Sequence, residues 1–161
     1  FGFIEKIRNL EIIAWMTIIF GILLYVSDRF SLSKDLDKNF TYKSAILIGL
    51  FQILSLVPGV SRSGIAITAA RLLNFKRVDS AKISFLLSIP ILGAVSFFGI
   101  KNLFLLNNVY LIKLNLLSIF MSFVISLFTI KYFLEYINRF NLNLFIFYRI
   151  LLGLVLISLT L

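Results

Sequence analysis

Apolar runs of membrane-helix length alternate along the chain with short polar breaks. Ile12 to about Ser27 is apolar, with Trp15 and Tyr25 near its ends, where amphipathic rings favour the membrane interface. Ile83 to Ile100, Leu114 to Leu134 and Leu142 to Leu161 are three further runs long enough to predict spans. Between them, Asn102 to Lys113 reads as an outer loop and Glu135 to Asn141 as a short inner turn. Phe1 to Glu11 is a charged lead-in at the membrane edge, and Asp28 to Lys43 is the one substantial polar loop, closing on Thr41 as a helix cap. Pro90 interrupts its span and predicts a kink, with Ser84 and Ser88 placed to occupy freed backbone groups.

Two apolar segments are too short to cross. Ser44 to Val57 and Arg62 to Leu73 predict helices of roughly 21 Å and 18 Å, against a hydrocarbon core of about 30 Å. They are either one broken span or a re-entrant hairpin over residues 44–73. Cation asymmetry separates these topologies. With a hairpin, Arg29, Lys34, Lys38 and Lys43 share a side with Arg71, Lys76, Arg77, Lys82, Lys131 and Arg139, leaving only Lys6, Arg8, Lys101 and Lys113 opposite. A broken span would mix the two sets more evenly, so the hairpin is expected, with its cationic side cytoplasmic.

Composition fixes the solvent. Hydrophobic residues make up 60% of the chain and the mean hydropathy is +1.03, far outside soluble composition. The fold class expected is therefore all-α, a polytopic membrane helical bundle carrying one re-entrant helix-turn-helix hairpin. Without cysteine or histidine there is no disulfide framework and no imidazole base or ligand. The net charge of +9 sits in short loops between apolar runs, which favours a membrane-side explanation over nucleic acid. Starting at Phe1 without a signal-peptide pattern, residues 1–161 read as a single membrane domain, a fragment or processed product.

The chemistry concentrates where the two short helices meet, at Val57-Pro58-Gly59-Val60-Ser61-Arg62-Ser63-Gly64. Pro58 ends the first helix, Gly59 permits a left-handed turn, and Ser61 caps the helix restarting at Arg62. The amides of Ser63, Gly64 and Ile65 should then face outward beside a guanidinium, an arrangement that binds phosphate. Irregular backbone at membrane depth survives only where protein covers it or a wet cavity meets it, which makes this turn a candidate site on physical grounds. The alternative is that Arg62 pairs with a carboxylate and Pro-Gly supplies only a bend. Ser61 and Ser63 are donors to phosphate oxygens or nucleophiles; a cap or backbone bond explains each equally well.

Ser61, Gly64, Thr68 and Arg71 form a polar stripe along the second arm, suited to lining a headgroup path. Arg71 reads first as a positive-inside anchor. Gln52 and Ser55 on the first arm could face the same cavity or hydrogen-bond between helices. Arg149, beside Tyr148, lies near the middle of the last span and should face the bundle or a wet cavity and meet an anion, although no partner is evident in the sequence. The seven carboxylates sit in loops or at span ends, so no general base or metal cluster is evident.

Phe51 to Gly64, followed by Thr68-Ala69-Ala70-Arg71, by Ser84-Phe85-Leu86-Leu87-Ser88-Ile89-Pro90 and by Tyr148-Arg149, closely resembles the undecaprenyl-diphosphate phosphatase family associated with bacitracin resistance. The Pro-Gly-x-Ser-Arg-Ser core is highly specific, and the likeness covers essentially the whole chain, matched to the family's C-terminal portion. The resemblance implies an inner-membrane, multi-pass enzyme that removes the terminal phosphate of a polyprenyl diphosphate, recycling the lipid carrier for cell-wall polymers. It also implies inverted repeats, each with a re-entrant hairpin, of which this chain would hold the second. Arg62 would then clamp the diphosphate, and Gly59, Ser61, Ser63 and Gly64 would hold phosphate oxygens, with Arg62, Ser61 and Ser63 the catalytic candidates.

Two departures bear on that transfer. The family's first hairpin, with a glutamate-rich motif and a Ser-Ser-Thr-Gly-His run, has no counterpart here, so the acid/base groups and the ligands of any divalent cation (Mg or Ca) would lie outside this chain. A missing N-terminal repeat or a second protomer is the implied partner, and this chain alone should be inactive. The threonine of the usual Pro-Gly-x-Ser-Arg-Ser-x-x-Thr pattern is replaced by Ala66; Thr68 is about 200° further around the helix and cannot stand in for it. The other readings are a polyprenyl-phosphate translocator built on the same repeat and a non-catalytic half-protein.

Overall fold

The computed structural model describes residues 9–30, 33–104 and 109–160. Its elements are α1 (Leu10–Asp28), α2 (Leu36–Asn39), α3 (Tyr42–Ile53) with a 3-10 turn at Leu54–Leu56, α4 (Arg62–Leu72), α5 (Arg77–Phe104), α6 (Val109–Arg139) and α7 (Asn143–Ser158). Among the described residues only Lys34 and Phe75 make a bridge of strand type. Among the described residues three helices are long and apolar enough to cross a membrane: α1, the Arg77–Ile100 part of α5 and the Tyr110–Arg139 part of α6. The chain is a multi-pass membrane protein.

Caps set the ends of the inner helices. Thr41 Oγ1 accepts from Ser44 N at 3.2 Å and starts α3. Beyond α4, Asn74 takes φ +75°, with Asn74 N donating to Arg71 O and Phe75 N to Ala70 O. That pair of reversed bonds closes the helix on a left-handed residue and buries Phe75 completely.

The polar connections are shorter than the hydropathy pattern predicts. Helix α5 runs on to Phe104 and α6 begins at Val109, so most of the expected Asn102–Lys113 loop is helical and 105–108 lies outside the described residues. At its other end α6 continues to Arg139, through the expected inner turn, where Glu135 and Arg139 pair at 2.9 Å one turn apart. Helices stop where their backbone hydrogen bonds do, not where apolar sequence does. Conversely α7 has only 16 residues, about 24 Å, less than the span read from Leu142 to Leu161. Residues 1–8 of the charged lead-in lie outside the described residues.

Helix α5 passes Pro90 without leaving helical geometry. Neither serine meets the carbonyl the proline releases, that of Leu86. Ser88 Oγ donates to Phe85 O at 2.6 Å, and Ser84 Oγ reaches across to Ser63 O at 3.4 Å.

Helix α1 packs along α7, and both cover one side of α4, while α3 and α5 pack on the others. Small residues let α1 and α7 approach: a Cβ on Gly153 would strike Ile18 and come within 3.2 Å of Ala14 O. At one end of the bundle, Asp28 at the end of α1 binds Arg71 at the end of α4 and Arg77 at the start of α5. Lys34 N donates to Asn74 O, and Lys76 N to Lys34 O. The α3–α4 segment therefore leaves from and returns to the same end of the bundle, with its turn at the other end of α4.

Candidate functional site

Local chemistry builds the turn between α3 and α4. Val57 is extended because the following proline crowds helical geometry. Gly59 takes φ +94°, and a Cβ there would lie 2.5 Å from Ile13 O, so the turn seats directly on α1. Val60 is fully buried. Ser61 caps α4, its Oγ accepting from Gly64 N at 3.3 Å, yet it does so at φ +53°, a strained region for a residue with a side chain. Such strain costs about 1–3 kcal/mol and persists only where surrounding contacts impose it, typically at functional sites.

The surrounding contact comes from α7. Arg149, 9% exposed, donates from Nη2 to Gly59 O at 2.9 Å. Its Nη1 lies 2.6 Å, and Ser61 Oγ 3.2 Å, from the point a Cβ on Gly64 would occupy. Gly64 is thus glycine so that a guanidinium can lie over the first turn of α4. Thr17 on α1 completes the seat: its Oγ1 is 3.3 Å from Gly59 O and donates to Ile13 O at 2.7 Å. The sequence places Arg149 facing inward but offers no partner; the partner is a backbone carbonyl, which no pattern of side chains reveals.

Arg62 and Ser63 face the other way, into a cavity of about 300 Å³ shared with Gln52 on α3 and Ser84 and Ser88 on α5. Arg62 is exposed, and neither it nor Arg149 has a carboxylate within ion-pair distance among the described residues. Two uncompensated guanidiniums thus meet the N-terminal end of α4, where the helix dipole adds positive potential. Such an arrangement has the chemistry to hold an anion.

Several of the residues singled out in the sequence fall elsewhere than expected. Gly64 N is engaged by Ser61 Oγ and Ile65 N by Ser61 O, which leaves the amides of Arg62 and Ser63 as the outward donors of the turn. Gly59 contributes its shape and its carbonyl, the latter facing Arg149. Thr68 is 1% exposed with its Oγ1 returned to Gly64 O at 2.8 Å, so it lines no open path. The stripe continues into Arg71, 3% exposed and fixed by Asp28; burial, not spacing, decides that it is no headgroup track. Ser55 lies in the 3-10 turn outside the cavity that Gln52 lines. Ala66 packs in an apolar cluster with Ile48 and Ile83, where a hydroxyl would need a buried partner.

Residues 2–155 match the family described as bacitracin resistance protein BacA. The chain belongs to that family. It is 53% identical over 153 residues to an undecaprenyl-diphosphatase of Pelagibacter ubique (strain HTCC1062), covering 92% of this chain and 58% of that protein. Proteins of the same description from Teredinibacter turnerae and Saccharophagus degradans are 41% and 42% identical, with 57% and 56% of their lengths covered. The chain thus spans rather more than half the length of the curated relatives it matches.

Phosphatases often use divalent cations, but the donor set here does not suit one. Among the described residues no group of three or more acidic side chains converges, and the carboxylates near the bundle are tied to arginine or lysine. What this BacA-family chain presents at the capped end of α4 is cationic, with Arg149 bonded to the turn from α7 and Arg62 lining the cavity on the other side.

Proposed function

We propose that this chain supplies the phosphate-binding half of an undecaprenyl-diphosphate phosphatase site. The observation that carries the reading is that Arg62 and Arg149, neither with a carboxylate partner among the described residues, lie at a strained, glycine-bearing helix start. Phosphate oxygens match guanidinium edges and free amides, and such donors are strongest away from bulk water. The relatives' own description as undecaprenyl-diphosphatases supports the choice of substrate and reaction.

In this reading Arg62 clamps the diphosphate, with Ser63 and the amides of Arg62 and Ser63 on its oxygens. Arg149 and Ser61 hold the turn in the shape that presents them. Water attacks the distal phosphorus, the bond to the bridging oxygen breaks, and lipid monophosphate leaves while the water oxygen ends in orthophosphate. A serine hydroxyl attacking first would form a phosphoserine that water then hydrolyses to orthophosphate. Placement of positive charge where negative charge accumulates provides most of the acceleration. The groups that move the proton come from a segment outside this chain, either an N-terminal repeat or a second protomer, in the bacterial inner membrane.

Depth supports a headgroup site. Thr17, which touches Gly59, precedes Asp28 by 11 residues along α1. At the helical rise that is about 17 Å from the charged end, near the middle of a core of about 30 Å. The α3–α4 pair then enters the bilayer re-entrantly from its cationic side.

The test is phosphate release from undecaprenyl diphosphate by the full-length protein carrying Arg62→Ala or Arg62→Lys. Alanine should lower turnover by about two orders of magnitude or more, and lysine should restore little because a point charge lacks the fork. Unchanged hydrolysis in Arg62→Ala rejects the clamp. Lipid flux in liposomes without phosphate release would favour a translocator instead.

A further inference from the structure

A second cationic cavity, of about 510 Å³, lies at the opposite end of α4 from the turn. Its wall carries Arg29, Arg71, Lys76 and Arg77 against the carboxylates of Asp28 and Asp79. Asp28 serves two guanidiniums at once, its Oδ1 3.2 Å from Arg71 Nη2 and 2.7 Å from Arg77 Nε. Lys76 engages Asp35 at 2.5 Å, and Asp79 faces Lys82 at 3.8 Å. One carboxylate between two guanidiniums leaves a positive charge over. Arg29 adds another, since its contacts with the hydroxyl and ring of Tyr25 do not neutralise it.

Two more features point to an anion. Arg71 is 97% buried by its side chain, and its Nε has no acceptor among the described residues. Helix α5 begins at Arg77, so the amides of its first turn, on residues lining the cavity, lack helical acceptors and carry the positive end of a 28-residue helix. Three guanidinium-bearing residues and the first residues of α5 line one space with room for a headgroup, with the orphaned Arg71 Nε buried in its wall. Arg62 and Arg71 are nine residues apart on α4, about 14 Å, so one phosphate cannot serve both ends.

We propose that this cavity is a second anion site that takes a phosphate group, separate from the site at the turn. Its occupant completes the charge balance around Asp28 and clamps the ends of α1 and α4 to the start of α5. An anionic phospholipid headgroup and free orthophosphate share this chemistry, and experiment can distinguish them.

Asn138 lines the cavity and is exposed, so Asn138→Cys places a thiol at its rim. In the full-length protein, with any other thiols removed, its labelling by a neutral maleimide is followed in two settings. One is detergent with inorganic phosphate, set against chloride at equal ionic strength; the other is nanodiscs of phosphatidylcholine with or without phosphatidylglycerol. Slowing of about tenfold by phosphate identifies the free ion, and by phosphatidylglycerol alone the lipid. In either case Arg29→Gln, which leaves both Asp28 pairs intact, should abolish the slowing. The proposal is overturned if neither anion slows labelling, if chloride does so equally, or if Arg29→Gln retains the full effect. Turnover at the other site is not the readout, so failure here leaves the phosphatase reading standing.

Discussion

Arg149 donates to the carbonyl of Gly59 at 2.9 Å across 90 residues of sequence. That single bond joins the last helix to the turn between the two short ones. The guanidinium reaches its acceptor only because position 64 has no side chain and because α1 and α7 approach closely at Gly153 and Ala14. A cation that is costly in a membrane helix is thereby placed beside a helix start, where it seeks an anion.

Replacing Arg149 should therefore affect both site and fold. Arg149→Gln leaves one amide to meet Gly59 O and removes the charge. We expect turnover of the full-length protein to fall by about two orders of magnitude, with a stability loss of about 1–3 kcal/mol from the weakened buried bond. Phosphate release and detergent-solubilised thermal unfolding measure the two effects. Full activity in Arg149→Gln would show that this guanidinium has no part in the site.

Gly64→Ala offers a cleaner cut. The added Cβ would sit 2.6 Å from Arg149 Nη1, while alanine in place of glycine favours a helix by about 1 kcal/mol. Activity should drop by at least about tenfold while thermal stability changes little. Combined with Arg149→Gln the losses should fall well short of additive, because both changes act through one contact. Independent, additive effects would refute the coupling.

At the other end, Asp28 is buried against Arg71 and Arg77, and its Oδ2 accepts from Leu142 N at 3.4 Å. It ties four helix ends together. Asp28→Asn should destabilise by about 3–5 kcal/mol, since two guanidiniums then share no charge partner. Chemical denaturation in mild detergent would measure it. A loss below the scatter of surface substitutions would mean that solvent already screens the cluster.

The exposed pair Lys76–Asp35 gives a pH dependence. Its hydrogen bond to Lys76 holds the Asp35 carboxyl below its ordinary 3.8, and the same bond to Asp35 holds the Lys76 ammonium above its ordinary 10.5. The tie is thus complete above 3.8 and is lost as pH falls through the lowered Asp35 value. At the alkaline end it is complete below 10.5 and is lost as pH rises through the raised Lys76 value. Amide exchange at Lys34 and Lys76, whose backbone groups bond across this junction, should accelerate beyond both limits relative to intrinsic rates. In Asp35→Asn the acid limb should disappear.

The sequence by itself determined the solvent, the helical class, the two helices too short to cross and the turn between them. Each of these depends on neighbours in the chain: run length, a proline without an N–H, a glycine at φ +94°, a serine cap. The cation asymmetry favoured a hairpin whose two ends lie on one side, and the bonds of Lys34 with Asn74 and Lys76 bring those ends together. Tertiary structure alone decided which polar groups are free. Spacing put Ser61, Gly64, Thr68 and Arg71 on one face, but only packing shows that beyond the exposed Ser61 this face is buried. Likewise Arg149 and Gly59 carry no mutual signal, because a guanidinium bonded to a backbone carbonyl leaves no side-chain pattern at the acceptor. Local rules set the shape of the turn; long-range contact chose the charges beside it.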